Sequence, residues 1–151
     1  MSDSEPRPPR RLFLAGLLAA ATAGAASGLA IFGGLTGTVT QTFRFSRGTA
    51  LGTGEDARLR GFLAAAAQDA RLAVIVVGHT GTQGEAAANL ALSEARAAAV
   101  AEIARDMGIA PPRIQAMGVG GGAPAPRETG QSERAHEAAL ARADVTLQVR
   151  R

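Results

Sequence analysis

The fold of this chain is decided by residues 72–97, which read LAVIVVGHTGTQGEAAANLALSEARA. The run Leu72–Val77 is apolar and rich in β-branched side chains, which is typical of a strand buried on both faces. A loop rich in glycine, Gly78–Gly84, follows this strand. Helix-forming residues then continue from Glu85 to Met107, and Gly108 predicts the end of the helix. The stretch therefore predicts a strand, a loop and a long helix, which is a building unit of α/β folds.

The same patterns predict further elements on both sides of this unit. Alternation of apolar and polar residues indicates strands, and an apolar residue at every third or fourth position indicates helices. The predicted elements are a strand at Phe43–Ser46, a helix at Glu55–Asp69, a strand at Ile114–Val119, a helix at Ser132–Ala143 and a strand at Val145–Val149, with residues 49–54 and 120–126 as connections. The order β-α-β-α-β-α-β predicts an α/β sandwich of one sheet and its helices over residues 43–151.

Residues 12–38 contain no charged side chain and are mostly apolar. This segment exceeds the roughly 20 residues that cross a bilayer, so we expect a transmembrane anchor. Three arginines precede it and favour a cytoplasmic tail at residues 1–11, a single pass through the inner membrane and a periplasmic C-terminal domain. The alternative is an export signal, cleaved near Ala23-Gly24-Ala25, that releases the domain into the periplasm.

The predicted anchor is rich in small residues. Gly24 and Gly28 form a GxxxG spacing, which allows two membrane helices to approach closely. This spacing is consistent with a homodimer or with packing against another membrane protein. The alternative explanation is that a segment rich in Gly and Ala contains such spacings by chance.

The residue types that are missing exclude several classes of function. All 16 basic residues are arginine, and the chain has no cysteine, tryptophan or tyrosine. Without lysine there is no P-loop lysine or Schiff base, and without cysteine there is no thiolate metal site. The aromatic content of 3% and the net charge of +3 do not favour nucleic-acid binding. We therefore expect no catalytic residues, no metal site, no cofactor and no nucleic-acid partner.

One charged residue interrupts the apolar pattern of the second predicted helix. Arg96 lies four residues after Leu92 and four residues before Val100, so its side chain shares their face. A guanidinium on an apolar face needs an anion, because an unpaired buried charge is costly. The anion is either an internal acid, such as Asp144 or a glutamate, or the carboxylate of a ligand. The spacing leaves both alternatives open.

Two motifs in this region resemble those of a known family. Gly78–Gly84 (GHTGTQG) and Asn89–Val100 (NLALSEARAAAV) resemble the GHTDxxG and NxxLSxxRAxxV motifs of the OmpA-like C-terminal domain, and the resemblance extends over residues 43–151. Members of that family bind the diaminopimelate residue of peptidoglycan non-covalently. The Asp of the first motif holds the ligand's ammonium group, and the Arg of the second motif holds its carboxylate. The resemblance assigns the second role to Arg96, whereas Gly81 stands at the Asp position.

The resemblance continues to the last strand. The final helix of the family usually ends in Asn-Arg-Arg-Val, and the matching residues are Arg142-Ala143-Asp144-Val145. The candidate ligand-binding residues are therefore Arg96, Thr80, Gly81, Asn89, Arg142 and Asp144. Two functions are compatible with them. The first is a membrane-anchored periplasmic domain that binds peptidoglycan, and the second is a structural or interaction subunit of an envelope membrane complex without peptidoglycan binding.

Overall fold

The computed structural model describes residues 37–150, which form a five-stranded sheet with packed helices. The strands are β1 (Thr38–Arg47), β2 (Ala50–Leu51), β3 (Leu72–Gly78), β4 (Ile114–Gly118) and β5 (Arg142–Val149). The helices are α1 (Glu55–Gln68), α2 (Ala86–Asp106) and α3 (Glu133–Leu140), and a short 3-10 helix at Pro111–Arg113 precedes β4. The strand order in the sheet is β2-β1-β5-β3-β4.

The last strand of the chain lies in the centre of the sheet. β5 pairs antiparallel with β1 on one side and antiparallel with β3 on the other side. β3 and β4 are parallel, and α2 lies in the crossover connection between them. Because β5 joins the N-terminal hairpin to the β3-α2-β4 unit, the sheet depends on residues from both ends of the described region.

One face of the sheet carries the hydrophobic core. Alternate residues of β1, β3 and β5 are buried on this face, together with the apolar residues of α1 and α2. The largest fully buried core side chains include Phe43, Leu59, Leu63, Val74, Val76, Val100, Val145 and Leu147. The opposite face of β1 and β5 is polar; for example, the hydroxyl oxygens of Thr40 and Thr146 lie 2.8 Å apart.

Two glycines allow α2 to lie directly on the sheet. A Cβ atom on Gly78, at the end of β3, would overlap the backbone carbonyl of Ser93, and a Cβ atom on Gly118 of β4 would also overlap Ser93. The Ser93 hydroxyl donates to the carbonyl of Leu90 (2.7 Å) and accepts from the N–H of Gly120 (2.8 Å). This contact fixes α2 against the ends of β3 and β4, where the candidate site residues lie.

The mixed α/β fold predicted from the sequence is confirmed, with three corrections to its elements. β1 begins at Thr38 rather than Phe43, because it pairs with β5 over a longer stretch than the apolar alternation indicates. The predicted connection at 49–54 contains the short strand β2, which pairs with β1. The third helix ends at Leu140 rather than Ala143, because Arg142 and Ala143 pair with β1 as the first residues of β5.

The predicted tail at residues 1–11 lies outside the described residues. So does the predicted anchor at residues 12–38 with its GxxxG spacing, apart from Gly37 and from Thr38, which is the first residue of β1. Within residues 37–150, no helix has both the length and the apolar character that a membrane span requires. The anchor and the export signal therefore stay predictions.

We expect Gly78→Ala to lower the free energy of unfolding by about 1–3 kcal/mol, because the added methyl group must displace the backbone of α2. The control is Gly61→Ala in α1, where an added Cβ atom meets nothing within 4 Å. This control should raise the free energy of unfolding by about 0.5–1 kcal/mol, since alanine favours a helix. Urea unfolding followed by circular dichroism measures both changes, and equal stability of the two variants would contradict the close packing.

Candidate ligand-binding site around Arg96

The side chain of Arg96 is held by two backbone carbonyls from different parts of the chain. Arg96 lies on the sheet-facing side of α2 and is 5% exposed. Its Nε donates to the carbonyl of Gly48 (2.8 Å), in the turn between β1 and β2. Its Nη1 donates to the carbonyl of His79 (2.8 Å), in the first loop residue after β3. The guanidinium carbon also lies 5.3 Å from the ring centroid of Phe45, within the range of a cation–π interaction.

The charge of Arg96 is not neutralised by a carboxylate of residues 37–150, since none of their acids forms an ion pair with it. Burial lowers the pKa of Arg96 from its ordinary value. An arginine nevertheless remains protonated at neutral pH. The hydrogen bonds to the two carbonyls use Nε and one N–H of Nη1, which leaves the second N–H of Nη1 and both N–H groups of Nη2 for a further acceptor.

The expectation that Arg96 lies on the buried face of α2 is confirmed. The alternative in which an internal acid, Asp144 or a glutamate, pairs with it is wrong for the acids of residues 37–150. The sequence pattern did not indicate the backbone carbonyls that hold the guanidinium. The carboxylate of Asp144 instead accepts from the Thr42 hydroxyl at 2.6 Å and lies 3.0 Å from His79 Nε2. A longer contact of 3.5 Å joins it to Arg142 Nε.

Two opposing effects act on the pKa of Asp144. Burial raises it, but the hydrogen bonds from His79 and Thr42 and the positive charge of Arg142 outweigh burial. The net result is a pKa below the ordinary value, so Asp144 is ionised at neutral pH. Its carboxylate therefore stabilises the polar face of the sheet where β1, β3 and β5 meet.

Arg142 lies beside Asp144 and is buried, with 8% of its surface exposed. Its Nη2 donates to the carbonyl of Ala123 (3.0 Å), and its own carbonyl accepts the N–H of His79 (2.8 Å). Among the described residues, its buried Nη1 has no hydrogen-bond partner. Arg142 thus joins β5 to the loop after β4 and to the start of the loop after β3.

The first part of the loop after β3 is fixed by the opposite loop and by α2. The N–H of Thr80 donates to the carbonyl of Gly120 (3.0 Å), and its hydroxyl donates to the carbonyl of Gly81 (3.2 Å). Asn89 Nδ2 donates to the carbonyl of Gln83 (2.9 Å). Thr80 is 2% exposed, so this part of the loop is packed inside the protein. Its hydrogen bonds to Gly120 and Gly81 hold the loop in place.

The candidate residues are not all in one place. Thr80 and Gly81 belong to the loop that leaves β3, and Arg96 contacts this loop at the carbonyl of His79. Arg142 and Asp144 also contact His79. Asn89 lies further along, beside a cavity of about 400 Å³. The cavity is lined by Thr82, Gly84, Ala86, Asn89, Leu90 and Val119 with Gly120–Gly122, and Arg96 is not among its lining residues. Within residues 37–150, no group of three His or acidic residues could hold a metal ion.

Two residues outside the set of predicted site residues also shape the site. His79 contributes its carbonyl to Arg96 and its Nε2 to Asp144, and both contacts depend on strand pairing. Glu137 of α3 reaches the loop after β3, where its Oε2 lies 2.5 Å from the position of a Cβ atom on Gly81. The sequence contains no signal for the second contact, because the two residues are joined by tertiary packing alone.

We expect Asp144→Asn to lower the free energy of unfolding at pH 7 by about 1–2 kcal/mol, because the ionised carboxylate accepts charge-assisted hydrogen bonds. Since the folded pKa is lowered, this contribution is complete above the unfolded pKa and is lost as the pH falls through the folded value. The stability difference between wild type and variant should therefore shrink below about pH 4. Urea unfolding across this range measures it.

The control for this experiment is Asp106→Asn, at an exposed position of α2. It should change the stability by less than about 0.5 kcal/mol at every pH. A difference between wild type and Asp144→Asn that grows on acidification would contradict the lowered pKa.

Comparisons with known proteins agree with this architecture. The family model described as the OmpA family matches residues 44–139, which is more than half of the chain. No protein in the comparison with curated proteins matches this chain at a significant level.

Three solved structures are similar in fold. The peptidoglycan-associated lipoprotein from Burkholderia pseudomallei is 23% identical with a TM-score of 0.60, and the match covers 71% of this chain and 89% of that chain. A putative MotB-like protein from Desulfovibrio vulgaris is 22% identical with a TM-score of 0.61, and the match covers 76% of this chain and 77% of that chain. The periplasmic domain of Helicobacter pylori MotB is 15% identical with a TM-score of 0.55, and the match covers 72% of this chain and 71% of that chain.

At these identities the three structures establish the fold, and the family match establishes the relationship. The resemblance of the two motifs around Gly78–Gly84 and Asn89–Val100 is thereby confirmed at the level of the family. This chain belongs to the OmpA family and carries an OmpA-like α/β domain.

Proposed function

We propose that this protein is a non-covalent peptidoglycan-binding module, in which Arg96 binds the free carboxylate of a diaminopimelate residue. The observation that carries the proposal is the state of Arg96, a buried guanidinium without an ion pair to any acid of residues 37–150. A buried charge of this kind is costly unless a counter-charge is supplied. A ligand carboxylate supplies it and matches the planar donor fork of arginine.

The way Arg96 is held supports this role. The carbonyls of Gly48 and His79 fix the plane of the guanidinium before a ligand arrives, so little side-chain entropy is lost on binding. A carbonyl oxygen carries a partial negative charge, so it orients the guanidinium without cancelling its positive charge. The remaining N–H groups of Nη1 and Nη2 can form a bidentate pair with a carboxylate.

The family and two of the similar structures support the proposal. One similar structure is that of a peptidoglycan-associated lipoprotein, and another is a periplasmic domain. We place the domain of this chain in the periplasm as well, attached to the inner membrane by the predicted anchor at residues 12–38. In this arrangement the protein would link the membrane to the cell wall.

A second function is favoured by a different observation. Gly81 stands where the family motif has an acid, and Asp144 is engaged with Thr42 and His79. An OmpA-like domain that has lost its ligand would act as a structural or interaction subunit of an envelope membrane complex. This alternative predicts that the full-length protein does not bind peptidoglycan and purifies from membranes with a partner chain or as an oligomer.

We expect the full-length protein, purified in mild detergent, to co-sediment with diaminopimelate-type sacculi. Arg96→Met should reduce the bound fraction at least tenfold, because it removes the guanidinium and its charge while retaining an unbranched apolar stem. Quantification of the pellet by immunoblot measures binding, and the circular dichroism spectrum of each variant reports whether it is folded.

The matched control is Arg105→Met, which removes a charge from an exposed position of the same helix. Its bound fraction should equal that of wild type. Equal sedimentation of Arg96→Met and wild type would exclude Arg96 as the binding residue. A wild-type protein that stays in the supernatant would exclude peptidoglycan binding and favour the structural alternative.

A further inference from the structure

The loop residue Gly81 lies against a carboxylate from a distant part of the chain. A Cβ atom built on Gly81 would lie 2.5 Å from Oε2 and 3.7 Å from Cδ of Glu137. The carboxyl group of Glu137 therefore occupies the space into which a side chain at position 81 would project. The absence of a side chain at Gly81 is what makes this approach possible.

The position of Glu137 is set by α3. Ser132 caps this helix by accepting the N–H of Ala135 (3.2 Å), and Leu140 at its other end is fully buried. Glu133, one turn before Glu137, is exposed and lies 3.4 Å from Arg127. Glu137 is partly buried and forms no ion pair with a basic residue in the described part of the chain. Its charge, like that of Arg96, is left without a partner of opposite sign.

We infer that Glu137 is the anionic half of the ligand site and binds the ammonium group of the amino acid whose carboxylate is held by Arg96. This inference rests on the proposed function. The two groups adjoin the same short loop, since Arg96 bonds to the carbonyl of His79 and Glu137 contacts Gly81 two residues later. Two residues of chain span at most about 7 Å between Cα atoms. The two charged groups of a zwitterionic amino-acid centre lie closer together than this, and a charge-assisted hydrogen bond of about 2.8 Å from each of them extends its reach towards both side chains.

The arrangement explains how a glycine can occupy the position of an acid without loss of the negative charge. The carboxylate reaches the same place from α3 instead of from the loop after β3. A carboxylate suits an ammonium group because the hydrogen bonds between them are charge-assisted. An aspartate at position 81 would place a second carboxylate against Glu137, and like charges in contact repel each other.

The test uses two forms of one soluble stem peptide, one with the free amino and carboxyl groups of diaminopimelate and one with that amino group acetylated. Binding of each form to the full-length protein is measured by isothermal titration calorimetry. Wild type should bind the free peptide about tenfold to hundredfold more tightly than the acetylated peptide. Glu137→Gln should lose this difference and bind both peptides with the low affinity of the acetylated form. Such a pair of changes isolates the contact between carboxylate and ammonium.

Two further variants control the experiment. Glu133→Gln removes a charge one turn away on the same helix and should behave as wild type. Gly81→Asp in the Glu137→Gln background should restore the preference for the free peptide, whereas Gly81→Asp alone should give little gain. This rescue also shows that Glu137→Gln remains folded.

The outcomes separate the inference from the proposed function. If wild type prefers the free peptide and Glu137→Gln retains that preference, Glu137 does not bind the ammonium group and the inference is overturned, while the role of Arg96 stands. If wild type binds neither peptide, the proposed function and the inference fail together. If Glu133→Gln also loses the preference for the free peptide, the preference depends on the total charge of α3 and not on Glu137. That result would also overturn the inference.

Discussion

The structure of the site depends on one buried positive charge. Arg96 enters the region where the β1–β2 turn, the end of β3 and helix α2 meet, and it bonds to a carbonyl from each of the first two. Because a guanidinium has several donors in one plane, a single side chain can fix two backbone segments relative to a helix. No carboxylate of residues 37–150 cancels this charge, so the same residue that holds the segments together retains the capacity to bind an anion.

The polar residues around Arg96 form two separate groups with different tasks. Thr42, His79, Arg142 and Asp144 bond to one another or to nearby backbone where β1, β5 and β3 lie side by side. Their charges are largely satisfied within the protein, which favours a structural role. Arg96 of α2 and Glu137 of α3 both reach the loop after β3, and neither forms an ion pair within the described region. Unsatisfied charges of opposite sign beside one loop are what a zwitterionic ligand requires.

Much of the fold could be predicted because its signals are local. The apolar run at Leu72–Val77 and the helical pattern up to Met107 agree with β3 and α2 to within about a residue, and Gly108 adopts the left-handed conformation expected after a helix. The elements that were missed or shortened depend on strand pairing. β2 has two residues and exists because it pairs with β1, and the start of β5 takes two residues that the helical pattern assigned to α3. A strand of two residues is too short to show a periodicity, and the strand that pairs with the first residues of β5 lies far away in the sequence.

The sequence by itself determined the family, the order of most elements and the presence of a charged residue on the buried face of α2. Each of these follows from patterns within a few tens of residues, where spacing fixes which side chains share a face. Only the tertiary structure decided which groups meet that charge. It assigned Asp144 to His79 and Thr42, gave Arg96 two backbone carbonyls, and brought Glu137 to the space beside Gly81. The physical reason is that an electrostatic contact depends on distance in space, and the packing of strands and helices, rather than position in the chain, sets that distance.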